Sequence, residues 1–340
     1  MERFVGFKSK REGFSHLKSG TPCQDAVDYF CDKYAVCVAA DGHGSEKYFR
    51  SKTGAEIVVE VAIRATKEFI DNLLGMDENE QKESVKDENK RNKLLKGLSS
   101  CIVSRWVDEI GNDWNTSKCD DKEEEIFKKY FTKHDPTDKD LNLTKIYGTT
   151  LIIGAITENF AFVIQCGDGG ACIILENGDT QIARDTFDEN QLGGMTNSLS
   201  SSNCLNTFRY FYTEDIVEAM FLVSDGVLES YGGNEGRDFL RFCEKLYDVF
   251  SKDYEQAKTF LDEWMPKLSE RGNEDDVSIA GVYRQKDNDA ASFSMPNTHC
   301  PLSEGLHNNP DVDKYTLPQD VNESDSRTEY NISVTQVTVN

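Results

Sequence analysis

The first clear feature of the chain is a nearly continuous apolar run over residues 34–41, YAVCVAAD, which stops at an acidic residue. Such a run is typical of a strand that is buried on both faces. In residues 46–75 the apolar positions then recur every three or four residues, and Gly75 follows the last of them as a helix cap. The pattern therefore predicts a strand, a polar turn and a helix.

A second long helix is predicted after this one. Residues 76–92 are almost all polar and indicate either a solvated link or an extension of a helix. One helical stripe follows, formed by Leu94, Leu95, Leu98, Ile102, Trp106 and Ile110. The charged stretch from there to residue 143 predicts no single structure.

From residue 147 onward the period changes to that of short strands. Six β-rich runs lie at 147–156, 160–168, 171–183, 208–213, 219–227 and 275–283. Asn177 and Gly178 form a strong hairpin-turn signal within the third run. Residues 236–272 predict two helices before the last strand.

This order of elements predicts one α+β domain, in which two layers of sheet are covered by helices. The periodic pattern ends near Arg284, and the remaining chain is rich in Asn, Asp, Ser and Pro. We therefore expect a folded domain over residues 1–284 and a disordered tail over 285–340.

Composition and charge narrow the range of partners that the protein is expected to bind. The formal net charge of −23 repels phosphate backbones and anionic lipids, so nucleic acid and membrane surfaces are not expected partners. The ten cysteines include no Cys-x-x-Cys pair, and no run of eighteen apolar residues or apolar leader is present. These features predict a cytoplasmic protein and do not indicate an oligomeric state.

Five aspartates have a related context. They are Asp25 in PCQDA, Asp41 in ADGHG, Asp168 in QCGDGG, Asp225 in VSDGV and Asp275 in NEDDVS. Four lie at the end or start of an apolar strand, and three precede a glycine. A single Asp-Gly is typical of a tight turn, but carboxylates brought together repel one another unless a cation neutralises them.

An all-oxygen ligand set favours Mg²⁺ or Mn²⁺, with Ca²⁺ as an alternative. The Gly42 carbonyl can join the carboxylates, because a glycine allows close backbone approach. Two such ions roughly 3.5–4 Å apart can hold a hydroxide and neutralise a phosphoryl group. The pattern thus indicates a hydrolase for phosphate esters.

The motifs GxxHxxxGxPCQDA (13–26), ADGHGS, YGTT, CGDGG, LVSDGV and NEDDVS occur in an order that resembles the metal-dependent type 2C protein serine/threonine phosphatases, in their bacterial branch. The resemblance runs from Gly6 to Tyr283. It implies a β-sandwich of two sheets flanked by antiparallel helix pairs, which agrees with the element order above.

The resemblance also implies roles for individual residues. The ligands of two core Mn²⁺ or Mg²⁺ ions would be Asp41, the Gly42 carbonyl, Asp225 and Asp275. Asp25 would hold water on these ions, and Asp168 matches the acid of a weakly held third ion. A water that bridges the two core ions would attack phosphorus in line, and His43 would protonate the leaving oxygen. His16 stands where the family commonly has an arginine that grips the phosphate.

Three positions depart from the family pattern. Gln24 replaces an acid common in eukaryotic members, and GDGG lacks the Ser-Arg that often follows the third-metal acid. Asp276 follows Asp275 where Asn is usual, so either acid could bind metal, with Asp275 favoured by register.

Residues 186–213 fall at the position of the family's flap, which predicts a mobile substrate-shaping loop. An ordinary surface loop is the alternative. The serine run within this segment indicates a flexible connection.

The resulting prediction is an enzyme that hydrolyses phosphoserine or phosphothreonine in phosphorylated protein substrates. One alternative is a pseudophosphatase that binds partners without turnover, which Gln24 and the missing arginine favour. The other is a hydrolase of small phosphate esters, since the same metal chemistry would serve it.

Overall fold

The computed structural model describes residues 3–134, 136–137, 141–183, 197–231 and 236–285. The predicted disordered tail lies outside the described residues from residue 286 onward, so the domain boundary after residue 284 stays a prediction.

The described strands form two antiparallel sheets of five strands each. In chain order the strands are β1 Arg3–Arg11, β2 Ala26–Cys31, β3 Ala35–Ala40, β4 Leu151–Ile156, β5 Ala161–Cys166, β6 Gly170–Leu175, β7 Thr180–Ile182, β8 Arg209–Thr213, β9 Val217–Val223 and β10 Val277–Gln285. One sheet has the order β1-β10-β9-β6-β7 and the other β2-β3-β4-β5-β8. Their inner faces pack on each other as a sandwich.

Helices cover the outer face of each sheet. They are α1 Phe14–Ser19, α2 Ser51–Leu74, α3 Glu78–Lys86, α4 Glu88–Thr116, α5 Asp121–Tyr130, α6 Asp225–Ser230, α7 Arg237–Phe250 and α8 Tyr254–Arg271. Ion pairs of Arg64 with Glu109 and of Arg105 with Glu68 show that α2 and α4 run antiparallel. The α7 and α8 helices lie against the other sheet. The predicted α+β sandwich with flanking helix pairs is confirmed.

The continuous apolar run of β3 is explained by burial on both of its faces. Ala35, Cys37 and Ala39 belong to the core between the two sheets. The alternate residues Val36 and Val38 belong to the core between the sheet and its helices. Because side chains of a strand point alternately to opposite faces, every position of β3 must be apolar.

Close contact between α2, α4 and the β4 sheet depends on a glycine. The indole N–H of the fully buried Trp106 donates to the Gly54 carbonyl at 3.0 Å. A Cβ atom on Gly54 would lie 2.0 Å from the carbonyl oxygen of Tyr147. No larger residue fits there without separating the helix from the chain that leads into β4.

Residues 76–92 contain α3 and the first turn of α4, so the helical interpretation of this polar stretch is correct. Among the elements that were not predicted is α5, which lies within the charged stretch before residue 143. The β1 strand was not predicted, because it is an edge strand whose sequence, RFVGFKSKR, carries many charges. The β6–β7 hairpin is confirmed at Asn177-Gly178, where Gly178 has φ 87°.

All cysteines among the described residues are free thiols. Within the same residues, the helices include none with the length and apolar character needed to cross a membrane. The cytoplasmic location stays a prediction.

Candidate active site and metal centre

Strand pairing brings Asp25 and Asp41 together at one end of the sandwich. Asp25 directly precedes β2 and Asp41 directly follows β3. The neighbouring residues Ala26 and Ala40 are partners in the antiparallel ladder. The two carboxylates therefore start from adjacent backbone positions, although fifteen residues separate them along the chain.

The other sheet supplies acids at the same end. Asp225 is the first residue of α6, with a single residue between it and the end of β9, and Asp275 lies just before β10. Asp168 lies in the turn between β5 and β6. Gly170 of β6 pairs with Val223 of β9, which brings that turn beside the start of α6.

These strand ends enclose a polar cleft of about 310 Å³. The predicted site residues that line it are His16, Asp41, Gly42, His43, Asp168, Asp225 and Asp275. Asp25 is 1% exposed and lies behind the cleft, close enough that its charge affects Asp41. The structure thus brings together all eight residues that the sequence singled out.

Burial and mutual repulsion perturb the acids strongly. Burial raises the pKa of Asp25 to about 7 and that of Asp225 to about 6. The pKa of Asp41 is raised well above its usual value, first by burial and then by the charges of Asp25 and Asp225. Without a compensating cation, these carboxyl groups would therefore bind protons at a higher pH than an ordinary aspartate does.

The chemistry of this donor set fits hard divalent cations. Both carboxylate oxygens of Asp25 and Oδ1 of Asp225 are buried and form no hydrogen bond of ordinary geometry in the described part of the chain. The hydroxyls of Ser278 and Ser224 lie close enough to Asp25 to lower its pKa, but burial outweighs their effect. The carboxyl groups of Asp41 and Asp225 contact each other. Such oxygens are costly to bury unless a cation satisfies them, and Mg²⁺ and Mn²⁺ prefer oxygen ligands.

Gly42 follows Asp41 where the backbone is tightly enclosed. Its N–H donates to the Gln24 carbonyl at 3.2 Å. A Cβ atom there would lie 2.8 Å from backbone atoms of Gln24 and Ser51. The backbone at Gly42 therefore requires glycine, while the role of its carbonyl as a ligand stays a prediction.

The two neighbouring acids Asp275 and Asp276 have different surroundings. Asp275 is partly exposed in the cleft, and its charge contributes to the raised pKa of Asp41. Asp276 is 3% exposed and already accepts two backbone N–H bonds, from Gly13 at 2.7 Å and from Gln24 at 2.6 Å. This difference favours Asp275 as the ligand.

His43 lies half-buried at the edge of the cleft, against the ring of Tyr48. Burial lowers the pKa of His43, and the charge of Asp168 opposes that effect. Its Nε2 lies 2.5 Å from Oγ of Ser198, a side chain that is 3% exposed and also contacts the Thr149 carbonyl. His43 is thus held in one orientation.

Ser198 corrects one sequence-based interpretation. The serine run was interpreted as a flexible connection, yet Ser198 and Ser200 are buried and their hydroxyls form a hydrogen bond with each other. Nothing in the sequence pattern marks Ser198, because its partner His43 lies 155 residues away. Of the predicted flap, residues 186–196 lie outside the described residues, and residues 209–213 form β8.

Gln24 has a structural role at the place where an acid was expected. Its side-chain amide donates to Oγ of Ser51 at 2.6 Å and to the His43 carbonyl at 3.2 Å. The amide thereby joins the start of α2 to the backbone that carries His43. A carboxylate could accept from Ser51 but could not donate to the carbonyl.

The family follows from comparison with known proteins. The family model described as protein phosphatase 2C matches residues 12–266, which is about three quarters of the chain. The chain belongs to the protein phosphatase 2C family. The matched range includes His16, Asp25, Asp41 and Asp225, whereas Asp275 lies beyond it. No curated protein sequence matches the chain.

Solved structures of phosphatases are similar to this chain at low identity. The Mycobacterium tuberculosis serine/threonine phosphatase PstP is 13% identical, with 84% of this chain and 100% of that chain covered and a TM-score of 0.44. PppA of Pseudomonas aeruginosa is 15% identical, with 83% and 97% covered and a TM-score of 0.45. A PstP catalytic domain in complex with two manganese ions is 14% identical, with 84% and 100% covered and a TM-score of 0.46.

Proposed function

We propose that this member of the protein phosphatase 2C family hydrolyses phosphoserine and phosphothreonine in proteins with the help of Mn²⁺ or Mg²⁺. The observation that carries the proposal is the convergence of buried, unpaired carboxylate oxygens from Asp25 and Asp225 beside Asp41 in one cleft. A sandwich end has no structural use for such a repelling cluster.

The ions would be held by side chains from both sheets. We assign the two core ions to Asp41, the Gly42 carbonyl, Asp225 and Asp275, with Asp25 behind them as a partner for coordinated water. Asp168 is more exposed and would hold a third, weaker ion. When bound, such ions neutralise phosphoryl oxygens and lower the pKa of water, so that a nucleophile is available near neutral pH.

His43 would supply the proton that the leaving oxygen needs. Serine and threonine alkoxides are poor leaving groups, so a general acid at this position has a large effect. Burial and the contact with Ser198 fix the ring beside the cleft. His16, which also lines the cleft, would contact the phosphate.

The substrate class can be tested with a panel of phosphate esters. We expect purified protein with Mn²⁺ to release phosphate from phosphothreonine and phosphoserine peptides with a higher kcat/KM than from small sugar phosphates. EDTA should abolish the release. Preference for small esters would replace the protein-phosphatase assignment, and binding of phosphopeptides without any release would identify a pseudophosphatase.

A further inference from the structure

The segment that contains His16 is attached to a strained loop at the other end of the domain's sequence. Glu274, just before Asp275, has φ 62°, a left-handed conformation that is uncommon for a residue with a side chain. Its carbonyl accepts the Ser15 N–H at 3.0 Å and the Ser15 hydroxyl at 2.8 Å. The start of α1 therefore stabilises the loop that leads into β10.

Gly13 permits this close approach. A Cβ atom at Gly13 would lie 2.6 Å from the carbonyl carbon of Asp275 and 2.7 Å from the backbone nitrogen of Asp276. The backbone segments are thus packed directly on each other. Because the backbone of Gly13 packs directly on that of Asp275 and Asp276, the Asp276 side chain has little freedom to move.

Asp276 is the centre of this contact. Its Oδ1 accepts the Gly13 N–H at 2.7 Å and lies 2.9 Å from Nδ1 of His16, and its Oδ2 accepts the Gln24 N–H at 2.6 Å. The Asp276 carboxylate is 3% exposed and makes hydrogen bonds through both of its oxygens. Its contact with His16 occupies Nδ1 of the His16 ring. Nε2 is left as the ring nitrogen available to the cleft that His16 lines.

We propose that Asp276 is a positioning residue, which fixes the His16 ring so that its Nε2 meets the substrate phosphate, and that it is not a metal ligand. This inference rests on the proposed function for the identity of the ligand. Orientation by Asp276 would allow His16 to contact the phosphate where the family commonly has an arginine. A buried carboxylate partner fixes the direction of a side chain that is shorter than arginine.

A competing arrangement uses the same atoms. One ligand atom each from His16, Asp275 and Asp276 lies within 4.8 Å of the others, a spacing that could hold a metal ion. The hydrogen bonds already made by Asp276 oppose this arrangement, because a ligand to a cation would have to share oxygens that accept from two backbone amides. The two possibilities differ in what removal of Asp276 does to metal affinity.

The test measures binding of Mn²⁺, and then of inorganic phosphate to the Mn²⁺-loaded protein, by calorimetry on the full chain. We expect Asp276→Asn and His16→Ala each to weaken phosphate binding about tenfold, the size of one lost charge-assisted hydrogen bond. The double variant should be little weaker than either single variant, because both changes disrupt one contact. Mn²⁺ affinity should stay within about twofold in these variants, while the control Asp275→Asn should lose it.

Kinetics with a phosphothreonine peptide add a second readout. A positioning role predicts a raised KM with kcat nearly unchanged for both single variants. If Asp276→Asn fails to fold, Asp276→Glu replaces it; the charge is then kept but displaced, and weaker phosphate binding is still expected.

The results separate this inference from the proposed function. Loss of Mn²⁺ affinity in Asp276→Asn, unchanged phosphate binding, or additive effects in the double variant would each overturn the positioning role. Wild-type protein that binds Mn²⁺ and phosphate but never releases phosphate from peptides would instead overturn the proposed function, and the calorimetric comparison would still decide the role of Asp276.

Discussion

At the scale of single residues, the site is a set of acids whose surroundings differ sharply over short distances. Asp25 is buried and its oxygens form no hydrogen bond of ordinary geometry, whereas both oxygens of Asp276, whose charge raises the pKa of Asp25, accept hydrogen bonds. Asp275 and Asp276 are adjacent in sequence, yet Asp275 is partly exposed in the cleft and accepts the Asp276 N–H at 2.8 Å, whereas Asp276 is buried and accepts from Gly13 and Gln24. Residue type alone therefore does not assign a role, and hydrogen-bond partners do.

His43 gives a residue-scale prediction about leaving groups. His43→Ala should lower kcat for a phosphothreonine peptide by about 10²–10⁴-fold, because a poor leaving oxygen then departs without a proton. The loss for p-nitrophenyl phosphate should be much smaller, because nitrophenolate leaves without help. Steady-state rates on both substrates give the comparison, and equal losses would exclude the general-acid role.

Ser198 gives a second prediction at the scale of single residues. Ser198→Ala removes the 2.5 Å contact to Nε2 of His43 and should lower kcat for the phosphopeptide about tenfold with little change in Mn²⁺ requirement. Ser198→Thr, which keeps the hydroxyl, should restore most of the rate. The matched control is Ser100→Ala on the exposed side of α4, which should behave as wild type. An unaffected kcat in Ser198→Ala would show that the contact does not orient His43.

At the scale of elements, three helices of the outer layer are joined through Arg50, just before α2. Its guanidinium is buried, bonds Glu123 of α5 with two nitrogens at 2.8 Å each, and contacts Asp113 of α4 at 3.2 Å. It also stacks on Trp114, 4.9 Å from the ring centroid. One side chain thus joins α2, α4 and α5.

Removal of this arginine should destabilise the fold. Arg50→Ala removes the buried partner of two partly exposed carboxylates and should lower the free energy of unfolding by up to about 3 kcal/mol, less than for a fully buried pair because water still reaches both acids. Urea unfolding followed by circular dichroism measures the change. Arg64→Ala, which loses only a half-exposed ion pair with Glu109, is the control and should cost at most about 1 kcal/mol. Equal effects would mean that the Arg50 network adds nothing beyond a surface pair.

How far the sequence predicts these elements depends on how local their signals are. The burial of β3 on both faces and the helical stripe through Trp106 are visible in the residues themselves, and both were predicted. The acids at strand ends were predicted for the same reason. The Asp276 contacts were not, because Gly13 and Gln24 lie more than 250 residues away and only folding brings them close.

At the scale of the whole molecule, proton binding and metal binding at the carboxylate cluster should compete. The folded-state pKa values of Asp25 and Asp225, about 7 and about 6, lie above those of an unfolded chain, 3.8. The folded metal-free protein therefore binds more protons than the unfolded chain between these values, and its stability falls as pH rises from about 4 to about 7.

Thermal unfolding with and without Mn²⁺ tests this competition. Without metal, the melting temperature should fall between pH 5 and pH 7.5. Mn²⁺ should raise it more at pH 7.5 than at pH 5, because the ion replaces protons that are already weakly held at the higher pH. An equal effect of Mn²⁺ at both values would place its binding site away from Asp25 and Asp225.

The central claim is that the carboxylate cluster holds the ions needed to hydrolyse a phosphorylated protein. The most direct measurement is phosphate release from a phosphothreonine peptide as a function of Mn²⁺ concentration, for wild type and Asp225→Asn. The account predicts release that saturates with Mn²⁺, disappears in EDTA and falls by orders of magnitude in the variant. Full Mn²⁺-dependent release by Asp225→Asn, or no release by folded, Mn²⁺-loaded wild type, would contradict it.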